Sequence, residues 1–247
     1  MIPVLLYHSV SEASSPFAIT DAVFREHLRI IVASGRTPMT VSELFAGDGP
    51  KPERPVVVTV DDGFTDTATV AGPLLAEHRI PATVYVTTAF LGGRNRLDRA
   101  GVRDLHAMGH EIGGHSVHHR ELDVLPARQA HAEVIGCRDT LRDLLGVPVH
   151  SFAYPYGYAS ARVRRLVAAA GHTTACAVRD THATAAEPPY AVSRLTVRAT
   201  TDTDRLRGWL DGTIRPQAWA RDGLAVRGWR AYRAVRTRAS PWRKTSV

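Results

Sequence analysis

Short apolar runs rich in β-branched residues, alternating with longer helical stretches, restrict this chain more than any other feature. The runs fall at residues 3–7, 56–61, 83–87, 111–114, 150–154, 173–178 and 191–197. Several are nearly continuous in apolar side chains. A strand apolar on both faces needs cover on both, which a parallel sheet with helices outside supplies. Helical stretches are expected at residues 21–34, 65–78, 99–108, 126–145 and 160–170. Pro126 suits the first turn of the fourth. Gly109, Gly146 and Gly171 stand where helices should stop. The alternation predicts an α/β fold whose parallel sheet is open or closed into a barrel. Residues 47–55, rich in Gly and Pro, read as a loop before the second strand.

The length of 247 residues allows one large α/β domain or two small ones. No window approaches the roughly 20 apolar residues of a membrane helix. The apolar start, Met1 to Leu6, is too short for a signal-peptide core and no basic segment precedes it. A cytoplasmic location is therefore expected. Cys137 and Cys176 lack metal-ligand spacing and imply no disulfide framework.

The net charge of +7 is unevenly placed. From Arg205 onward there are eleven Lys/Arg against two Asp, so the rest of the chain is slightly acidic. All four tryptophans, Trp209, Trp219, Trp229 and Trp242, lie in that stretch. These features predict a body of residues 1–200 and a basic helical extension over 201–247. The expected role of the extension is to pack its tryptophans on the body with arginines facing water. Contact with a membrane surface or a lipid-linked substrate is the alternative. Nucleic acid is not an expected partner.

Four segments carry chemistry. Thr59-Val60-Asp61-Asp62-Gly63 ends an apolar strand in two acids and a glycine. Strand C-termini are where parallel α/β folds gather catalytic groups. Adjacent carboxylates there need a cation or donors nearby to stay ionised. The plain alternative is that Asp61 or Asp62 caps the helix expected near Thr65. His115-Ser116-Val117-His118-His119 follows the fourth strand. His115 and His119 can share one side of a helical turn. Two imidazoles and a carboxylate would form an open divalent-metal site. A polar loop with chance histidines is the alternative, and His118 is expected to face solvent. Phe152-Ala153-Tyr154-Pro155-Tyr156-Gly157 ends another strand in a constrained loop that can aim backbone N–H groups at an oxyanion, or serve as an ordinary turn. His8 would stand at the same edge, where a lone histidine is more often structural.

Together these segments resemble the polysaccharide deacetylases, the NodB-homology group of carbohydrate esterase family 4, over residues 3–197. Asp61-Asp62-Gly63 matches the family's first motif and His115 to His119 its second. The opening Pro3-Val4-Leu5-Leu6-Tyr7-His8-Ser9-Val10 and the Phe-Ala-Tyr-Pro-Tyr-Gly run are similar to a branch that includes the biofilm poly-N-acetylglucosamine deacetylases. The resemblance implies a distorted (β/α)7 barrel. It implies removal of an N-acetyl group from an N-acetylated sugar, oligosaccharide or glycoconjugate. It also implies a divalent ion, with zinc the default and cobalt, nickel or iron able to use similar ligands. On this resemblance Asp61 is the catalytic base, and Asp62, His115 and His119 are metal ligands. Ser116 supports the histidine loop, the Tyr156 backbone N–H helps form an oxyanion hole, and His8 is the general acid, with His182 and then His172 as weaker alternatives. Most members carry an Arg at the start of the third motif, where this chain has Ala153. Arg194 resembles a branch-specific Arg on a late strand that could substitute. Hydrolysis of a non-sugar amide or cyclic imide, or non-catalytic carbohydrate binding, are the competing readings on the same scaffold.

Overall fold

The computed structural model describes residues 1–46, 49–216, 228, 232 and 233. Its strands are β1 (Val4–Tyr7), β2 (Ser9–Val10), β3 (Ala18–Ile19), β4 (Thr37–Met39) and β5 (Pro55–Val60). They continue with β6 (Ala82–Val86), β7 (Glu111–Gly114), β8 (Ser151–Ala153), β9 (Thr174–Cys176) and β10 (Leu195–Thr196). The α-helices are α1 (Asp21–Ala33), α2 (Val41–Phe45), α3 (Gly72–Glu77), α4 (Arg99–Ala107), α5 (Ala127–Leu145), α6 (Ala161–Ala169) and α7 (Thr203–Asp211).

One sheet runs β10-β1-β5-β6-β7-β8-β9, with β4 beside the start of β5, and its pairings are parallel. The two ends of that order meet through one segment. Val192 bridges Cys176, with the Val192 N–H donating to Ala175 O at 3.0 Å and the Ala177 N–H to Val192 O at 2.8 Å. A few residues later the same segment becomes β10 and pairs with β1. The sheet therefore curls into a barrel of seven staves, the seventh being the interrupted run 191–197, as the (β/α)7 expectation requires. All six residues of β5 are buried, which explains its unbroken Pro-Val-Val-Val-Thr-Val composition.

Local signals set the helix ends. Thr20, Asp98, Ser160 and Asp202 each accept a backbone N–H in the first turn of the helix that follows. Gly146 ends α5 in the left-handed conformation, at φ 73°. The helix expected over 65–78 is less regular. Thr67–Ala71 is a π-helical turn that passes into α3. Pro73 has no N–H to give the preceding turn, and the Gly72 N–H reaches back to Thr67 O. A Cβ on Gly72 would lie 2.4 Å from Leu105 Cδ2, so glycine lets this turn lie against α4. Elements as short as β4 and α2 leave no readable periodicity.

The extension expected over 201–247 opens with a helix that packs into the body. Leu206, Trp209 and Leu210 of α7 are part of the main core beside α1. Arg36 Nε donates to Leu210 O at 2.6 Å. Trp219, Trp229 and Trp242 lie outside the described residues. Among the described residues, no helix is long and apolar enough to cross a membrane.

Candidate active site

The C-terminal ends of β5, β7 and β8 converge. Asp61 follows β5 and is 3% exposed. Arg194 approaches it from the seventh stave, with Nη1 donating to Oδ1 at 2.7 Å and Nη2 to Oδ2 at 2.8 Å. The guanidinium is itself anchored, Nη1 to Thr59 Oγ1 at 3.1 Å and Nε to Ala177 O at 3.2 Å. Burial alone would raise the Asp61 carboxyl, but Arg194 and then His115 hold it below the usual carboxylate range. Asp61 is therefore an anion deep in the barrel with one fixed orientation. Its Oδ2 lies 3.9 Å from His115 Nε2.

Asp62 points to the histidine pair. Its Oδ1 is 3.3 Å from His115 Nε2 and 3.2 Å from His119 Nε2. Ligand atoms of these three residues all lie within 4.8 Å of one another. Burial would lift the Asp62 carboxyl; the imidazoles of His115 and His119 hold it well below its ordinary value. Burial would lower His115, and the charges of Asp61 and Asp62 pull it above its ordinary value. The two shifts are reciprocal, carboxylate and imidazole each stabilising the other's charged form. His115 Nδ1–H donates to the Ala153 carbonyl at 2.8 Å, so Nε2 is the nitrogen turned to Asp62. One carboxylate, two imidazoles and a backbone acceptor behind the first imidazole suit a divalent cation.

The loop that carries His119 is held by Ser116 and by residues the sequence did not single out. Ser116 Oγ accepts the His119 N–H at 2.9 Å. Glu133 of α5 accepts the His118 N–H at 2.7 Å and bonds His118 Nδ1 at 2.8 Å. His118 is exposed, as expected, with 53% of its side chain accessible, and is also tethered by a buried carboxylate. Glu133 shares the buried face of α5 with Ala130, Val134 and Cys137. A carboxylate interrupting that apolar stripe was the available signal. Arg96 Nη1 donates to Asp62 O at 2.9 Å with its guanidinium over the Phe64 ring, which fixes the turn after β5.

Seven non-glycine residues have positive φ among the described residues, and Asp62, Ser116, His119 and Tyr156 are four of them. Each such conformation costs on the order of 1–3 kcal/mol, and such strain clusters at functional sites. Tyr156, at φ 58° and 47% exposed, packs on His119 with ring centroids 4.7 Å apart.

The candidate acids separate clearly. His8 stands at the end of β1 beneath Phe17, with ring centroids 4.8 Å apart. Burial lowers its pKa, while the charges of Asp62 and Asp61 act in the opposite direction. His182 lies at the other end of the barrel, where Ala183 pairs with Ile2, and its Nε2–H donates to Trp209 O at 2.7 Å. His172 packs behind β8 on Phe152. Neither sits with the acids, so both are removed as alternatives.

Known proteins are similar to this chain in sequence and in fold. The profile of the family described as polysaccharide deacetylase matches residues 48–175. A chitooligosaccharide deacetylase of Sinorhizobium fredii is 32% identical over 120 residues, 47% of this chain and 53% of that one. YxkH of Bacillus subtilis, named for the same family, is 24% identical over 199 residues, 79% of this chain and 71% of that one. Two solved structures share the fold. The Streptococcus pyogenes deacetylase PplD in complex with acetate superposes with a TM-score of 0.79 at 20% identity, covering 85% of this chain and 97% of that one. IcaB from Ammonifex degensii gives 0.75 at 24% identity, covering 85% and 96%.

Proposed function

We propose a hydrolytic function for this chain, which belongs to the polysaccharide deacetylase family: removal of the N-acetyl group from an N-acetylated sugar within an oligosaccharide or glycoconjugate. The observation that carries the reading is the meeting of Asp62, His115 and His119 beside a buried, braced Asp61. A divalent ion held by those three residues would polarise the attacking water and the acetyl carbonyl. Zinc suits the mixed nitrogen and oxygen donors, and cobalt, nickel or iron would accept them too.

The chain's own residues do the remaining work. Asp61 takes a proton from the water as its oxygen bonds to the carbonyl carbon. Arg194 keeps that carboxylate anionic before the reaction and stops it rotating away, which matters because misplacement of a base by about 1 Å can cost about 10²-fold in rate. The backbone N–H of Tyr156 donates to the carbonyl oxygen as it gains negative charge. His8 gives a proton to the sugar nitrogen as the C–N bond breaks, so that amine and acetate leave. The exposed ring of Tyr156 beside His119 offers an aromatic wall to a pyranose, which favours a sugar over a small cyclic imide.

The test is acetate release from N-acetylglucosamine oligomers by metal-reconstituted protein, with metal content measured on the same samples. His115→Ala should lose both metal and activity. Asp61→Asn should keep metal and lose activity by about 10²–10⁴-fold. Full activity of His115→Ala without bound metal would overturn the mechanism.

A further inference from the structure

Arg233 lies well beyond the residues matched by the family profile, yet it reaches the rim of the site. Its Nη1 and Nη2 donate to Asp123 Oδ1 and Oδ2, both at 2.9 Å, and Glu121 Oε2 is 3.8 Å away. The Arg233 and Asp123 side chains are each 1% exposed. The same guanidinium lies 3.6 Å from the centroid of the Tyr158 ring. Tyr158 stacks with Tyr156, centroids 6.3 Å apart and planes within 28°. Tyr156 in turn packs on His119. One guanidinium thus ties the loop after His119 to the loop that carries both tyrosines. The first loop is independently fixed, because Arg162 Nη2 donates to the carbonyls of Leu122 and Leu125 at 3.0 and 2.9 Å. An anchored loop on one side and a cation over a ring on the other leave Tyr158 little freedom to turn.

We propose that Arg233 is a positioning residue for substrate binding. It holds Tyr158, and through it the exposed face of Tyr156, as a stacking wall for the sugar next to the one being deacetylated. The ligand class that profits is an oligosaccharide of at least two pyranose units; a single N-acetylated sugar fills only the space at the ion and Asp61. A wall already fixed loses little conformational freedom when a sugar stacks on it. The proposal rests on the deacetylase reading given above.

The experiment uses the full chain loaded with metal and N-acetylglucosamine oligomers of one to five units. For Arg233→Met, KM for the longer oligomers should rise about fivefold, the equivalent of a cation–π contact worth about 1 kcal/mol, while kcat and metal content hold. KM for the single sugar should not move. Tyr158→Leu should repeat this pattern and Tyr158→Phe, which keeps the ring, should restore wild-type KM. A purely structural role would lower the melting temperature without this dependence on length. Unchanged KM for the longer oligomers, or an equal rise for the single sugar, would overturn the proposal. Should Arg233→Met not fold, the two Tyr158 variants decide it. If the wild-type protein releases no acetate at any length, the deacetylase reading fails by itself. Calorimetric titration of the pentamer then still reads the wall: about fivefold weaker binding by the variant supports it, and equal binding overturns it.

Discussion

Two buried arginines in this chain each grip one aspartate with both terminal nitrogens, and they serve different ends. Arg194 reaches across the barrel interior to Asp61, where Thr59 and Ala177 complete its hydrogen bonds. Arg233 grips Asp123 at the rim and spends its flat face on Tyr158. The first pair orients a carboxylate that stands beside the ligand cluster. The second orients a loop and a ring, and its aspartate is outside the Asp62, His115 and His119 cluster. Burial makes both pairs rigid, since separating buried partners strands a charge. What lies next to the carboxylate decides whether that rigidity serves chemistry or shape.

The comparison can be broken most severely at Arg194. Arg194→Met should destabilise the fold by about 3–5 kcal/mol, because Asp61 is left buried without a counter-charge. Adding Asp61→Asn should recover most of that loss in urea denaturation while acetate release stays abolished. Recovery of activity in the double variant would show that Asp61 is not the base.

His172 supplies the next largest effect, as a buried base with no carboxylate to hold its proton. Burial, and then the charge of Arg138, push it from 6.5 down to about 4. The fold therefore prefers the neutral ring. The stability it contributes is complete above pH 6.5 and is lost as pH falls toward 4, a loss on the order of 3 kcal/mol. Denaturation midpoints should fall through this window in the wild type and fall less in His172→Phe. Identical slopes would place the acid sensitivity elsewhere.

Arg233→Met sharpens the contrast from the other side. It should cost roughly 1.5–3 kcal/mol, the worth of hydrogen bonds to a charged group, less than at Arg194 because water can reach Asp123 at the rim once the guanidinium is gone, and leave kcat intact. A loss of kcat as large as that of Arg194→Met would erase the distinction between the two pairs. The smallest change concerns Glu133. Glu133→Gln keeps an acceptor for the His118 N–H but removes the charge behind the histidine loop. Metal affinity should weaken about tenfold, as for other groups that orient ligands from behind. Competition with a chelator would measure it, and unchanged affinity would show that Ser116 alone sets the loop.

The strands and the first ring of the site were legible in the sequence for physical reasons. A run such as Pro55–Val60 has no polar face and must be covered on both sides. Asp61, Asp62, His115 and His119 stand within or beside short motifs at strand ends, so the topology brings them together without long-range information. Arg194 was visible only through resemblance, because its bond to Asp61 spans 133 positions and no local pattern announces it. Glu133 was hidden in a helix whose average character is amphipathic, although its place on the buried stripe was readable. Arg233 was submerged among the many arginines of the basic stretch; only its partner, 110 positions earlier, distinguishes it. The π-helical turn before α3 was signalled by Pro73, which an uninterrupted helix over 65–78 does not accommodate.

The bond from His115 Nδ1–H to the Ala153 carbonyl has a consequence for how this site can vary. The acceptor is main chain, so no point substitution at position 153 deletes it. A side-chain acceptor there would make the tautomer of His115 depend on one codon. With a carbonyl, the tautomer of His115 does not depend on which side chain the buried position 153 carries. A guanidinium supplied from position 194 takes up the charge beside Asp61. The brace of the carboxylate and the aim of the imidazole are thereby inherited separately, and one can drift along the chain without disturbing the other.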